Sequence, residues 1–196
     1  MADDLDHLPE TFTYRGAREA GVPKRRFYAL RDSGAIDQIS RGVYRRTGAS
    51  RIVDLDRLEI ALRAPLATLC LTTALAYHDL TDANPASIDV AVPAGAHRPQ
   101  TTAPVTWHQF DRATFDLGRT ELPVDDTVTI GLYSAVRSVV DAFRLRHREG
   151  EDLAYIALRR WLRRPGNSPA TLHEMARNFP RAVKPITKAL EILQYD

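Results

Sequence analysis

The chain has 196 residues, 44% of them hydrophobic and 27% charged, which suits one large domain or two small ones with a real core. It contains no run of about 18 apolar residues, which argues against a membrane-spanning helix. Its acidic N-terminus, MADDLDHLPE, lacks the basic-then-apolar pattern of a secretory signal. The single cysteine, Cys70, rules out a disulfide framework, and its apolar neighbours Leu69 and Leu71 read as packing. A cytoplasmic protein without cofactor or metal is expected. The net charge of +2 is unevenly spread. Residues 1–10 carry four acids (Asp3, Asp4, Asp6, Glu10) and no Lys or Arg; residues 11–53 carry ten basic residues against three acids, a net +7; residues 54–196 sum to −1. A small basic module ahead of a nearly neutral larger one is an electrostatic footprint of nucleic-acid binding.

In chain order, residues 11–20 predict a short helix ended by Gly21, and Pro23 opens a second helix running to about Arg31, with Phe27 and Leu30 inward. Ser33-Gly34 breaks it. Ala35–Ser40 alternates as a strand, Arg41-Gly42 is a turn signal, and Val43–Arg46 reads as the returning strand. The order is helix, tight turn, helix, hairpin. A linker is expected near Thr47–Ile52. The acids around Asp54 open a helix that ends at Pro65, and Leu66–Leu80 predicts a largely apolar, buried helix. Strands are expected at 87–92, 105–110 and 127–130. From Leu132 onward the pattern is helical: Leu132, Val136, Val139 and Phe143 share a face. Further helices are expected over 151–163, from Ser168-Pro169 with Ser168 as N-cap, and over 183–193.

The second helix is the candidate reading element. A helix fits the major groove of B-DNA, and the second helix of a helix-turn-helix is the one that enters it. Lys24, Arg25 and Arg26 sit at its N-terminal end, where the helix already favours anions. Successive residues are about 100° apart, so at most two of the three can meet bases. Tyr28 and Arg31 extend the same helix, Arg41 stands at the tip of the hairpin, and Arg45 and Arg46 follow on its second strand. These eight residues are the expected DNA contacts. A solvated helix face explains most basic runs. Here the run coincides with helix-turn-helix-hairpin order and a second Arg cluster, which favours DNA.

The same stretch, Ala20-Gly21-Val22 through Leu30-Arg31-Asp32-Ser33-Gly34-Ala35-Ile36 to Ser40-Arg41-Gly42-Val43-Tyr44-Arg45, resembles the N-terminal domain of AbiEi antitoxins. Thr72-Thr73-Ala74-Leu75-Ala76-Tyr77-His78-Asp79-Leu80 resembles a small-residue helix of that family. The likeness is greatest to mycobacterial members. It implies a type IV antitoxin: its winged module represses a shared promoter by binding inverted repeats in double-stranded DNA, its C-terminal domain counters a nucleotidyltransferase toxin, and direct contact with that toxin is not required.

Catalysis is not expected. A nuclease site needs clustered carboxylates with a nearby Lys, and no Glu-x-Lys occurs. Ser87-Ile88-Asp89-Val90 faintly resembles a nucleotidyltransferase metal strand, but Ser87 stands where a second carboxylate is needed. His78 and His108 read as polar caps of the core. The basic C-terminal clusters (Arg144, Arg146, His147, Arg148; Arg159, Arg160, Arg163, Arg164; Arg177, Arg181, Lys184, Lys188) leave two readings open: cations complementing helix dipoles, or a contact surface for an acidic toxin face, RNA or flanking DNA. The expected fold is α+β: a winged helix-turn-helix over 1–50, then a mixed domain over 51–196 with a small sheet and a helical bundle. The expected function is a DNA-binding antitoxin and autorepressor; the alternative is a transcriptional regulator whose C-terminal domain senses a ligand or dimerises.

Overall fold

The computed structural model describes residues 5, 7–48 and 54–193. Asp3, Asp4, Asp6 and Arg51, with most of the expected linker, lie outside the described residues. The chain is mixed α+β, with nine helices and two small sheets among the described residues. It packs as two compact units. One takes the described residues up to Ala67 with His97–Pro104 and Leu122–Ile130; the other takes Thr68–Ala96, Val105–Glu121 and the described residues from Gly131 onward.

In the first unit, β1 (Thr11–Thr13) leads into α1 (Tyr14–Glu19), α2 (Lys24–Asp32), β2 (Ile36–Ser40), β3 (Val43–Arg46) and α3 (Leu55–Arg63). The strands form an antiparallel sheet of order β1-β3-β2. The helix expected over 11–20 is therefore a strand followed by a shorter helix. Thr11 pairs with Arg45 and Phe12 is buried, while the Thr13 hydroxyl accepts from the Gly16 amide and starts α1. A β-branched pair flanking an aromatic suits a strand, and the second threonine is a good cap. Glu59 on α3 is only 2% exposed. It accepts from the amides of Thr102 and Ala103 at 2.9–3.1 Å and lies 3.5 Å from Arg63, so α3 holds the 97–104 segment.

A five-stranded sheet of order β6-β5-β4-β8-β7 lies mainly in the second unit, with β4 (Thr68–Leu69), β5 (Ile88–Pro93), β6 (Val105–Phe110), β7 (Arg119–Pro123) and β8 (Thr129–Tyr133); residues 122–123 of β7 and 129–130 of β8 are counted with the first. β4 runs antiparallel to β5 and parallel to β8, and β5 runs parallel to β6. The expected helix over 66–80 is instead β4 followed by α4 (Leu71–Tyr77). Leu71 takes a positive φ of 44°, which turns the chain sharply between the two. Leu132, expected in a helix, lies in β8. Gly131 lies beneath the Arg119 guanidinium, whose Nε donates to the Thr68 hydroxyl; a Cβ at Gly131 would come within 2.6 Å of that nitrogen.

The helices α5 (Ala135–Arg144), α6 (Arg146–Glu149), α7 (Glu151–Leu162), α8 (Pro169–Ala176) and α9 (Pro180–Leu193) follow. Ser168 caps α8, as its position before proline suggests. Val139, Val140 and Phe143 of α5 join Leu158, Trp161, Leu172, Phe179 and Ile186 in one core. Inside it, Arg137 and Asp141 are fully buried and paired at 2.9 Å. Arg137 also donates to the carbonyls of Thr114 and Leu117, and its guanidinium lies over the rings of Tyr133 and Phe179, 4.3 and 4.2 Å from their centres. Asp141 meets Arg144 as well, at 2.9 Å.

Asp141→Ala is expected to cost about 3–5 kcal/mol, because it leaves a buried guanidinium without its counter-charge; urea unfolding measures it. At Glu59, burial opposes the charge, but the two amides and Arg63 hold the carboxyl below the usual glutamate range. A depressed acid stabilises fully above its unfolded value of about 4.3 and loses that contribution as pH falls through its folded value. Glu59→Gln should therefore cost about 1.5–3 kcal/mol at neutral pH, and urea titrations below that window should find the two proteins converging.

Candidate nucleic-acid interface

The N-terminal module is built around Phe27. Its ring meets those of Tyr14 and Tyr44 edge-on, with centres 4.8 and 4.7 Å apart, and that of Phe12 at 6.5 Å. Val22, Leu30 and Ile36 complete this core. The turn between α1 and α2 uses Gly21 at φ 92°, where a side chain would be strained. Arg18 donates to the Val22 carbonyl at 2.7 Å and braces that turn. Its place one turn ahead of Gly21-Val22-Pro23 was visible in the sequence, but its role as a brace was not.

With Phe27 and Leu30 inward, α2 turns a different face outward. Lys24, Tyr28 and Arg31 stand at i, i+4 and i+7 and are all exposed. Arg31 lies over the Tyr28 ring at 4.8 Å and bonds Asp32 at 2.8 Å, and that bond raises its already high pKa. Arg25 is exposed about 100° round the helix from Lys24, and Arg26 is half-buried. The residue before α2 is Pro23, which makes no side-chain cap, and no acid stands in the first turn. The leading amides of α2 therefore meet no acidic side chain of their own turn, next to two exposed cations.

The β2–β3 hairpin turns at Arg41-Gly42, Gly42 taking φ 81°, and a bulge between Gln38 and Ser40 shifts the register. Arg41 is exposed, and its carbonyl accepts from Arg63 at 3.3 Å. Arg45 and Arg46 behave differently. Arg45 is 16% exposed and lies 3.6 Å from Glu10, and Arg46 donates to the Leu8 carbonyl. Both cations tie the segment before β1 to the central strand. The structure thus brings Lys24, Arg25, Tyr28 and Arg31 to one helix surface, puts Arg41 at the hairpin tip, and turns Arg45 and Arg46 inward.

Strand, helix, turn, helix and hairpin, with sheet order β1-β3-β2, fit a winged helix-turn-helix. Residues 6–47 match the model of a family described as transcriptional regulator, AbiEi antitoxin. No curated protein matches the chain.

Elsewhere, the groups weighed for catalysis are occupied. The Asp89 carboxylate bonds the buried His108 at 2.9 Å, and His78 bonds the Tyr133 carbonyl at 2.8 Å. No group of three or more potential metal ligands exists among the described residues. Cys70 is buried, and burial pushes its thiol well up. No helix is long and apolar enough to cross a membrane among the described residues. Several basic C-terminal residues have internal work: Arg144 pairs with Asp141, Arg160 with Asp82, Arg164 donates to the His78 carbonyl, and Arg146 lies 3.4 Å from Glu151.

Proposed function

We propose that the chain is a cytoplasmic DNA-binding antitoxin. In this reading residues 1–50 repress the chain's own toxin–antitoxin operon by binding inverted repeats, and residues 51–196 counter a nucleotidyltransferase toxin. The observation that carries the DNA half is the outward face of α2: exposed cations and a tyrosine beside an amino end without an acid, over a buried aromatic core, in the region matched to a regulator family. Lys24, Arg25, Arg26, Tyr28 and Arg31 would meet the major groove and its phosphates, and Arg41 the adjacent backbone or minor groove. Arg45 and Arg46 would act from behind, by holding the hairpin in place. The reading assigns no catalytic step and no cofactor, since Asp89 is committed to His108. The toxin half rests on the resemblance to AbiEi antitoxins.

Binding to the promoter and to scrambled DNA, measured over a salt series for single alanine variants, tests the DNA half. A base-contacting Arg should cost about 1–3 kcal/mol and relax specificity at one position; a phosphate contact should weaken all sequences alike and lower the salt slope by about one. Arg41→Ala should behave in the second way. Wild-type promoter affinity for the Lys24, Arg25, Arg26 and Arg41 variants at near-physiological salt sinks the reading.

The toxin half needs a full-length test. A truncation at residue 54 would separate α3 from the rest of the first unit. Lys24→Glu/Arg25→Glu should abolish promoter binding yet still protect cells that co-express the toxin. Death at the rate seen without antitoxin would show that protection depends on DNA.

A further inference from the structure

The α9 helix carries its charges the wrong way round. Arg181 and Lys184 stand at its amino end, where the helix dipole is positive; its first turn holds no acid and its last turn no base. Dipole complementation accounts for Arg144 in the last turn of α5 and for Arg159 and Arg160 in that of α7. It cannot account for α9. Arg181, Lys184 and Lys188 follow one another at i, i+3 and i+7, so they share a face about 10 Å long. All three are exposed, and no acid pairs with them among the described residues.

That face lines a cleft of about 490 Å³. Tyr155 and the Arg146–Glu151 pair, whose charges cancel, line the same cleft. The Tyr155 ring is half-buried and held edge-on by Phe143, 5.7 Å between centres. Pro180 and Pro185 add rigid apolar wall. Three uncompensated cations and an aromatic ring in one cleft suit a ligand that joins phosphates to a flat ring. The volume is in the range of small-ligand sites.

We propose that this cleft binds a nucleoside phosphate, with its phosphates on Arg181, Lys184 and Lys188 and its base against Tyr155. The proposal is independent of the DNA reading of the N-terminal module. Calorimetry on the full chain at near-physiological salt tests it, with ATP, GTP, CTP and UTP as probes, and with pyrophosphate and a 5′-phosphorylated single-stranded RNA for comparison. At least one nucleotide should bind saturably at one per chain, about tenfold tighter than pyrophosphate, since a stacked base adds that much. Lys184→Glu/Lys188→Glu should weaken that nucleotide at least tenfold, and Tyr155→Leu should weaken it without weakening pyrophosphate. Promoter DNA should bind both variants as it binds wild type, and unchanged circular dichroism and urea unfolding should report that the second unit still folds. Four outcomes overturn the proposal: no nucleotide binds; pyrophosphate binds as tightly as the nucleotides; only the RNA strand binds; or charge reversal leaves nucleotide binding intact or weakens promoter DNA in parallel.

Discussion

The second unit is organised around a guanidinium with no access to water. Arg137 brings a full charge into the core, and its surroundings answer it group by group: the Asp141 carboxylate, the carbonyls of Thr114 and Leu117, and the faces of Tyr133 and Phe179. A buried ion pair is weak grounds for stability as such, since well-packed apolar residues often do as well. Its consequence here is geometric. The loop after β6 offers Arg137 two partners, and the end of β8 and the chain entering α9 one each, so all three are fixed relative to α5. Pro180 follows directly on Phe179, and the placement of α9, with the cleft along it, inherits that constraint. Arg144 works in the same way at lower depth, between Asp141 and the ring of Phe110.

The basic excess of the N-terminal module divides by the same criterion. Arg18, Arg45 and Arg46 find acceptors within the module and fix its turn and its central strand. Lys24 and Arg25 occupy exposed positions on the first turn of α2, and Phe27 decides which way they point, because the rings of Phe12, Tyr14 and Tyr44 hold it inward. A change at Phe27 would therefore reach the outward face without touching it.

How far the sequence could be read followed from how local each signal was. The α2 pattern, the β2–β3 hairpin and the Ser168 cap depend on residues within a few positions of one another, and they stand where the pattern put them. Leu66–Leu80 is apolar throughout, and an apolar run does not distinguish a buried helix from a buried strand followed by a helix. The turn at Leu71 needs a left-handed backbone that nothing in the residue type announces. β7, Arg-Thr-Glu-Leu-Pro, is a polar edge strand and carries no alternation. Among the candidate contacts, residue type alone could not separate Arg41 from Arg45 and Arg46. All three are arginines on one hairpin, and only the partners Glu10 and Leu8, reached through the β1–β3 pairing, tell them apart.

The C-terminal arginines and lysines pose that problem most sharply. Residues 54–196 sum to −1, which suggests a surface of no particular sign. The sum conceals a division between cations whose counter-charge lies in the fold and cations whose counter-charge does not. Arg137, Arg144 and Arg160 each sit beside an acid of the same unit. Arg181, Lys184 and Lys188 stand together without one, the first two at the end of a helix whose own field opposes them. Cations kept together against their local field, in a concave site, are the ground for placing a compensating charge outside the chain. That inference needs no net charge at all, only the position of each cation relative to its helix axis and its nearest acid.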